Sequence, residues 1–118
     1  MSIAVAGAKI TIDRGDDGTV RYTITDENNA VLNLALASFI FTVKEGYQST
    51  TPFFTLAASP GIFISSPSGG VVDVNIPRSA TLGAGTGNYR YDLQMTMADK
   101  VTTLVKGVFV IAPDITIP

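Results

Sequence analysis

Chemistry in this chain would have to be done with carboxylates, because its 118 residues include neither His nor Cys. The commonest general base and transition-metal ligand is missing, and with it any His-based triad or zinc centre. Disulfides and thiolate nucleophiles are missing too. Two groups of acids stand out. Asp13, Asp16 and Asp17 crowd one stretch, and carboxylates so close can hold a hard cation such as calcium. The stretch lacks the spaced ligands of a calcium-binding hand, so a solvated turn without metal is expected. It also contains Arg14-Gly15-Asp16, the tripeptide read by animal integrins, but turn geometry accounts for that glycine. Asp73, Asp92 and Asp114 lie on or beside apolar runs. A pair of carboxylates can hydrolyse a glycosidic bond, yet alternation only turns Asp73 and Asp92 outward and brings no two within reach. All three are expected as isolated surface acids. No residue is expected to be catalytic, to bind a cofactor or to ligate a metal.

The elements that would position such groups are strands. Gly87–Met97 alternates strictly: Tyr89, Tyr91, Leu93, Met95 and Met97 point one way, and Asn88, Arg90, Asp92, Gln94 and Thr96 the other. That is a half-buried strand with an apolar face. Ala98-Asp99-Lys100 separates it from a second apolar run, residues 101–111, and the two read as an antiparallel hairpin at the centre of the core. Tyr89, Leu93 and Phe109 are expected to be buried there. Shorter period-two runs occupy residues 8–13, 19–25, 37–45, 53–58 and 71–76, with another apolar piece at 62–64. Turn residues separate them, for instance Asp26-Glu27-Asn28-Asn29 and Ser65-Ser66-Pro67-Ser68-Gly69-Gly70. Residues 77–86 read as a crossover, and no long helix is expected. The pattern predicts one all-β sandwich of eight or nine short strands spanning 1–118, with residues 1–8 as an extended arm. Of the four tyrosines that could stack on a sugar, Tyr22, Tyr89 and Tyr91 fall on inward faces and Tyr47 does not, so core packing is the default. Tyr89, directly after a Gly-rich turn, suits a tyrosine corner, with its hydroxyl bonded to nearby backbone.

Composition narrows the partners. Net charge is -2, with eight basic residues spread thinly, so no nucleic-acid partner is expected. No apolar run has the length of a membrane span, and membrane insertion is not expected. Residues 1–9 are apolar but lack a preceding basic region, so a secretory leader is not expected either. Only 15% of residues are charged, against about 25% in an ordinary soluble domain. Either partners cover part of the surface or Thr and Ser hydroxyls replace charges on it.

The run Gly87-x-Tyr89-x-Tyr91-Asp92-Leu93, a short turn, then Val101-Thr102-Thr103-Leu104-Val105-Lys106-Gly107-Val108-Phe109-Val110 and Asp114-Ile115-Thr116, resembles a small immunoglobulin-like domain of tailed-phage structural proteins. The N-terminal domain of baseplate upper proteins is its best-known setting. Arg14-Gly15-Asp16, Val43-Lys44, Gly61-Ile62 and Gly70-Val71-Val72-Asp73-Val74 agree with it upstream. The family commonly has Asp-Gly in the hairpin turn; Asp99-Lys100 here implies a longer or differently shaped one. The resemblance implies an immunoglobulin-like antiparallel β-sandwich of about eight strands. It also implies a non-enzymatic virion protein without cofactors, assembling in multiple copies on tail, baseplate or capsid. Its expected partners are itself, as a homo-oligomer, and other virion proteins. A carbohydrate- or receptor-binding module is the alternative expectation.

Overall fold

The computed structural model describes residues 3–4, 9–46, 48–58 and 61–115. Its strands, in chain order, are β1 (Ile3–Ala4), β2 (Ile10–Asp13), β3 (Gly18–Thr23), β4 (Thr25–Asp26), β5 (Ser38–Lys44), β6 (Phe54–Leu56), β7 (Ile62–Ser66), β8 (Val71–Ile76), β9 (Gly87–Met97) and β10 (Lys100–Ala112). One helical turn, α1 (Arg78–Thr81), lies in the crossover before β9. Among the described residues no helix is long and apolar enough to cross a membrane.

The strands form a five-stranded sheet in the order β2-β10-β9-β5-β6, a three-stranded sheet β3-β8-β7, and a short ribbon β1-β4. Pairing is antiparallel except between β2 and β10, which run parallel. Alternation decides what is buried. Phe39, Phe41 and Val43 on β5, Tyr89, Tyr91, Leu93 and Met95 on β9, and Phe109 and Ile111 on β10 meet Tyr22, Ile62, Val72, Val74 and Ile76 from the smaller sheet. The ring of Phe41 stacks on that of Tyr91 with centroids 5.3 Å apart and meets Phe109 edge-on at 6.3 Å. Such contacts add to the stabilisation from burying large apolar side chains, roughly 1.5–3 kcal/mol each. Tyr89, Leu93 and Phe109 are all buried, as alternation requires.

The hairpin is tighter than its sequence implies. Met97 pairs with Lys100, leaving a two-residue loop of Ala98 and Asp99, both left-handed at φ 50° and 63°. Positive φ at both positions is the twist-matched turn that joins antiparallel strands, and Lys100 belongs to β10. Leu104 interrupts the ladder: Thr103 pairs with Gln94 and Val105 with Leu93, so Leu104 is an extra residue, a bulge. Both Leu104 and Val105 are buried. Without the bulge Lys106 would stand opposite Tyr91 in the core; with it, Lys106 stands opposite Asp92 and points outward. Gly107 takes the place opposite Tyr91, where a Cβ would lie 2.9 Å from ring atom Cε1.

One strand boundary is corrected, and the crossover and the arm gain detail. The run 19–25 is not one strand. β8 begins at Val71, after Gly70 at φ 69°, so β3 has no ladder partner beyond Thr23. There the chain turns away: the Ile24 N–H donates to Gly70 O, and β4 pairs with β1. The crossover holds a helical turn whose buried Thr81 accepts a hydrogen bond from the Gly15 N–H at 2.9 Å. Ile3–Ala4 of the expected arm pair with Asp26 and Thr25 of their own chain, and the rest of residues 1–8 lies outside the described residues.

Candidate functional site

The acidic residues are positioned by strand pairing, and two of them are not the isolated surface acids expected. Asp73 on β8 stands opposite Arg21 on β3. Its two carboxylate oxygens accept from Arg21 Nε at 2.7 Å and Nη2 at 3.0 Å, and it is 9% exposed. The guanidinium, first through these hydrogen bonds and then through its charge, holds the Asp73 carboxyl below its usual range despite burial. Asp114, just past β10, accepts from Arg14 Nε and Nη2 at 3.0 and 2.7 Å. Hydrogen bonding to Arg14 lowers its pKa likewise. Arg14 Nη1 also donates to Ala84 O at 3.2 Å, so one side chain ties the β2–β3 turn to the crossover and to the chain beyond β10. The arginine of the Arg14-Gly15-Asp16 tripeptide is thereby engaged within its own chain, and Gly15 is buried.

Asp13, Asp16 and Asp17 are exposed on the β2–β3 turn. Asp17 accepts the backbone N–H of Arg78 at 2.8 Å. Among the described residues no group of three carboxylates is placed to hold a metal ion. Asp92 lies on the outer face of the five-stranded sheet, away from Asp73 on the other sheet, so no carboxylate pair forms between them.

The tyrosines split by depth. Tyr22, Tyr89 and Tyr91 are buried, and Tyr47 lies outside the described residues. Burial, and secondly the nearby Tyr91 hydroxyl, push the Tyr22 phenol far above its ordinary range. Tyr89 donates its hydroxyl to Gly85 O at 2.8 Å, four residues upstream. That is the tyrosine corner at the start of a central strand, beside a parallel β2–β10 edge and two facing sheets. The fold is an immunoglobulin-like β-sandwich. No family model and no curated protein matches the chain. Among solved structures, one of murine CRIg is similar at TM-score 0.49 and 10% identity, covering 97% of this chain and 99% of that one. The fold assignment rests on the strand order and the Tyr89 anchor.

Among the described residues, three concavities stand out on this sandwich. A cleft of about 600 Å³ lies where Asp17, Thr19, Leu56, Ala58, Asn75 and Pro77 meet. A smaller one, about 430 Å³, is formed by Glu45 and residues 49–53. The third, about 470 Å³, lies on the outer face of β5, β9 and β10 and is lined by Thr42, Lys44, Arg90, Asp92 and Lys106 with Gly46 and Tyr91. It alone gathers three cations. Sequence reading missed it because Lys44, Arg90 and Lys106 come from three separate strands. The outward positions of Arg90 and Asp92 were legible, and only the register shows which residues flank them.

Proposed function

We propose that this chain is a non-enzymatic structural protein of a tailed-phage virion, assembling in multiple copies on tail, baseplate or capsid with itself and other virion proteins. The observation that carries this reading is apolar surface dispersed over several faces of a charge-poor domain. Ile40 and Val101 lie exposed on the outer face of the five-stranded sheet, Phe63 on that of the smaller sheet, and Leu36, 88% exposed, in the connection before β5. Single exposed apolar side chains are ordinary on a protein surface; their presence here on both faces and in a connecting loop of a chain only 15% charged is compatible with a subunit that has several neighbours. The resemblance of Tyr89-x-Tyr91-Asp92-Leu93 and Lys106-Gly107-x-Phe109-Val110 to phage domains supports the same assignment. The β1–β4 pairing offers a route to exchange, since the same four residues can be paired between copies. A carbohydrate- or receptor-binding role would draw on the basic groove and is compatible with assembly through the apolar positions.

Light scattering on the full chain over a wide concentration range tests self-association, with a multimer expected. Repeating it on a chain lacking residues 1–8 assigns or clears the arm. Antibody against the chain should label intact virions in electron micrographs. A monomer at every concentration, together with unlabelled particles, would refute the assignment.

A further inference from the structure

We propose that the groove on the outer face of β5, β9 and β10 is a binding site for an acidic saccharide, a sugar bearing a carboxylate or sulfate. This inference is independent of the assembly role.

The register builds the site. Asp92 on β9 stands directly between Thr42 on β5 and Lys106 on β10, and Arg90 stands beside Lys44. Side chains directly opposite on neighbouring strands have Cβ atoms about 5 Å apart and diagonal ones about 7 Å, so all three cations surround one carboxylate. Lys44 and Lys106 make no ion pair among the described residues. The groove carries three cations and one anion, a local net +2 in a chain of net -2. Five basic and nine acidic residues remain elsewhere, a net -4. The groove therefore concentrates positive charge in a chain that is acidic elsewhere. Glu45, next to Lys44 in sequence, lines a different cleft.

The composition of the groove selects the ligand class. A bare anion would be attracted by the lysines and repelled by Asp92. A ligand with both an anionic group and hydroxyl donors satisfies the whole set: the cations hold the carboxylate or sulfate, Asp92 accepts from adjacent hydroxyls, and the Thr42 hydroxyl does either. Acidic sugars have that combination. β9 is paired on both sides and β5 lies between β9 and β6 at Phe41, Thr42 and Val43, so a peptide finds no strand edge there; β10 meets β2 only from Phe109 to Ala112, and the polyglutamate competition tests for a peptide beside Lys106. Nucleic acid needs a longer basic track than three side chains on an otherwise acidic molecule. The volume, about 470 Å³, falls within the range of small-ligand sites, about 300–1,000 Å³.

The probe is fluorescently labelled hexagalacturonate, read by anisotropy at low and physiological salt. Neutral dextran, polyglutamate and inorganic sulfate serve as competitors. Binding is expected, weakening with salt, displaced by unlabelled oligogalacturonate and not by dextran. Lys44→Glu with Lys106→Glu should weaken it by about tenfold or more, since two attractive charges become repulsive at short range. Lys44→Ala with Lys106→Ala gives the same direction should the reversal impair folding, which unchanged melting temperature and near-ultraviolet dichroism verify. Asp92→Asn separates a sugar site from a simple cation patch. It should weaken galacturonate while strengthening sulfate. If galacturonate does not bind, or the lysine variants leave its affinity unchanged, the site is wrong. If Asp92→Asn tightens every anion alike, or polyglutamate competes as well as galacturonate, the saccharide assignment is overturned.

Discussion

Gly107→Ala should destabilise the domain, although an alanine in a strand is ordinarily the better residue. Gly107 pairs with Tyr91, and a Cβ there would sit 2.9 Å from Cε1 and 3.2 Å from both Cζ and the hydroxyl oxygen. The ring has little freedom to retreat: Tyr91 is 2% exposed and stacks on Phe41 at 5.3 Å. Overpacking of this kind costs about 1–3 kcal/mol, while removing a strand glycine returns roughly 0.5–1 kcal/mol. The balance is a loss centred on about 1 kcal/mol and reaching about 2.5 kcal/mol, which at around 4 °C per kcal/mol for a chain this size lowers Tm by about 4–10 °C. Differential scanning calorimetry reads that shift directly. The cause is isolated by repeating the substitution in Tyr91→Leu, where the ring is gone and the added methyl meets space. There the penalty should vanish or reverse, because residues in contact are not additive. A penalty of equal size in both backgrounds, or a Gly107→Ala protein as stable as its parent, would refute the close approach and with it the register of β10 beyond the bulge.

The hairpin turn makes the opposite forecast. Replacing Ala98-Asp99 by Asn-Gly, whose residues accept positive φ, should raise stability by about 1 kcal/mol in denaturant titration, and a loss would contradict the two-residue turn. Tyr89→Phe removes the hydroxyl bond to Gly85 and should cost about 1 kcal/mol in the same assay; no change would mean the corner is not formed. Because Arg21 and Arg14 hold Asp73 and Asp114 below the ordinary carboxylate range, both contribute stability above their unfolded pKa, near 3.9. That contribution is lost as pH falls through the lower folded values. Denaturant titrations should show a decline confined to pH below about 4, and Asp73→Asn with Asp114→Asn should flatten it. At the alkaline end the raised Tyr22 phenol disfavours folding as pH climbs past its unfolded value, about 10. Tyr22→Phe should delay alkaline unfolding, and an unchanged alkaline midpoint would argue against a buried phenol.

What could be read from the sequence was what a single strand decides. Alternation in Gly87–Met97 assigned the buried faces of Tyr89, Tyr91, Leu93 and Met95 correctly, and the turn signals located most strand ends. Strand order was another matter. Arg14 and Asp114 are 100 residues apart and Arg21 and Asp73 are 52 apart; no local pattern says that β10 lies parallel beside β2 or that β3 lies beside β8. The two carboxylates therefore looked isolated until pairing brought each to its arginine. The bulge lies between these cases. Leu104-Val105-Lys106 puts two apolar residues before a charge, and in an uninterrupted ladder one of the pair would face water while Lys106 entered the core. Burying an unpaired ammonium costs far more than one lost ladder bond, so the extra residue is the cheaper solution. The signal was present in the residue types, but its meaning depends on knowing that Leu93 and Asp92 are the partners. The same step sets the charge of the groove: only after the bulge does Lys106 come opposite Asp92 and join Arg90 and Lys44 on one face.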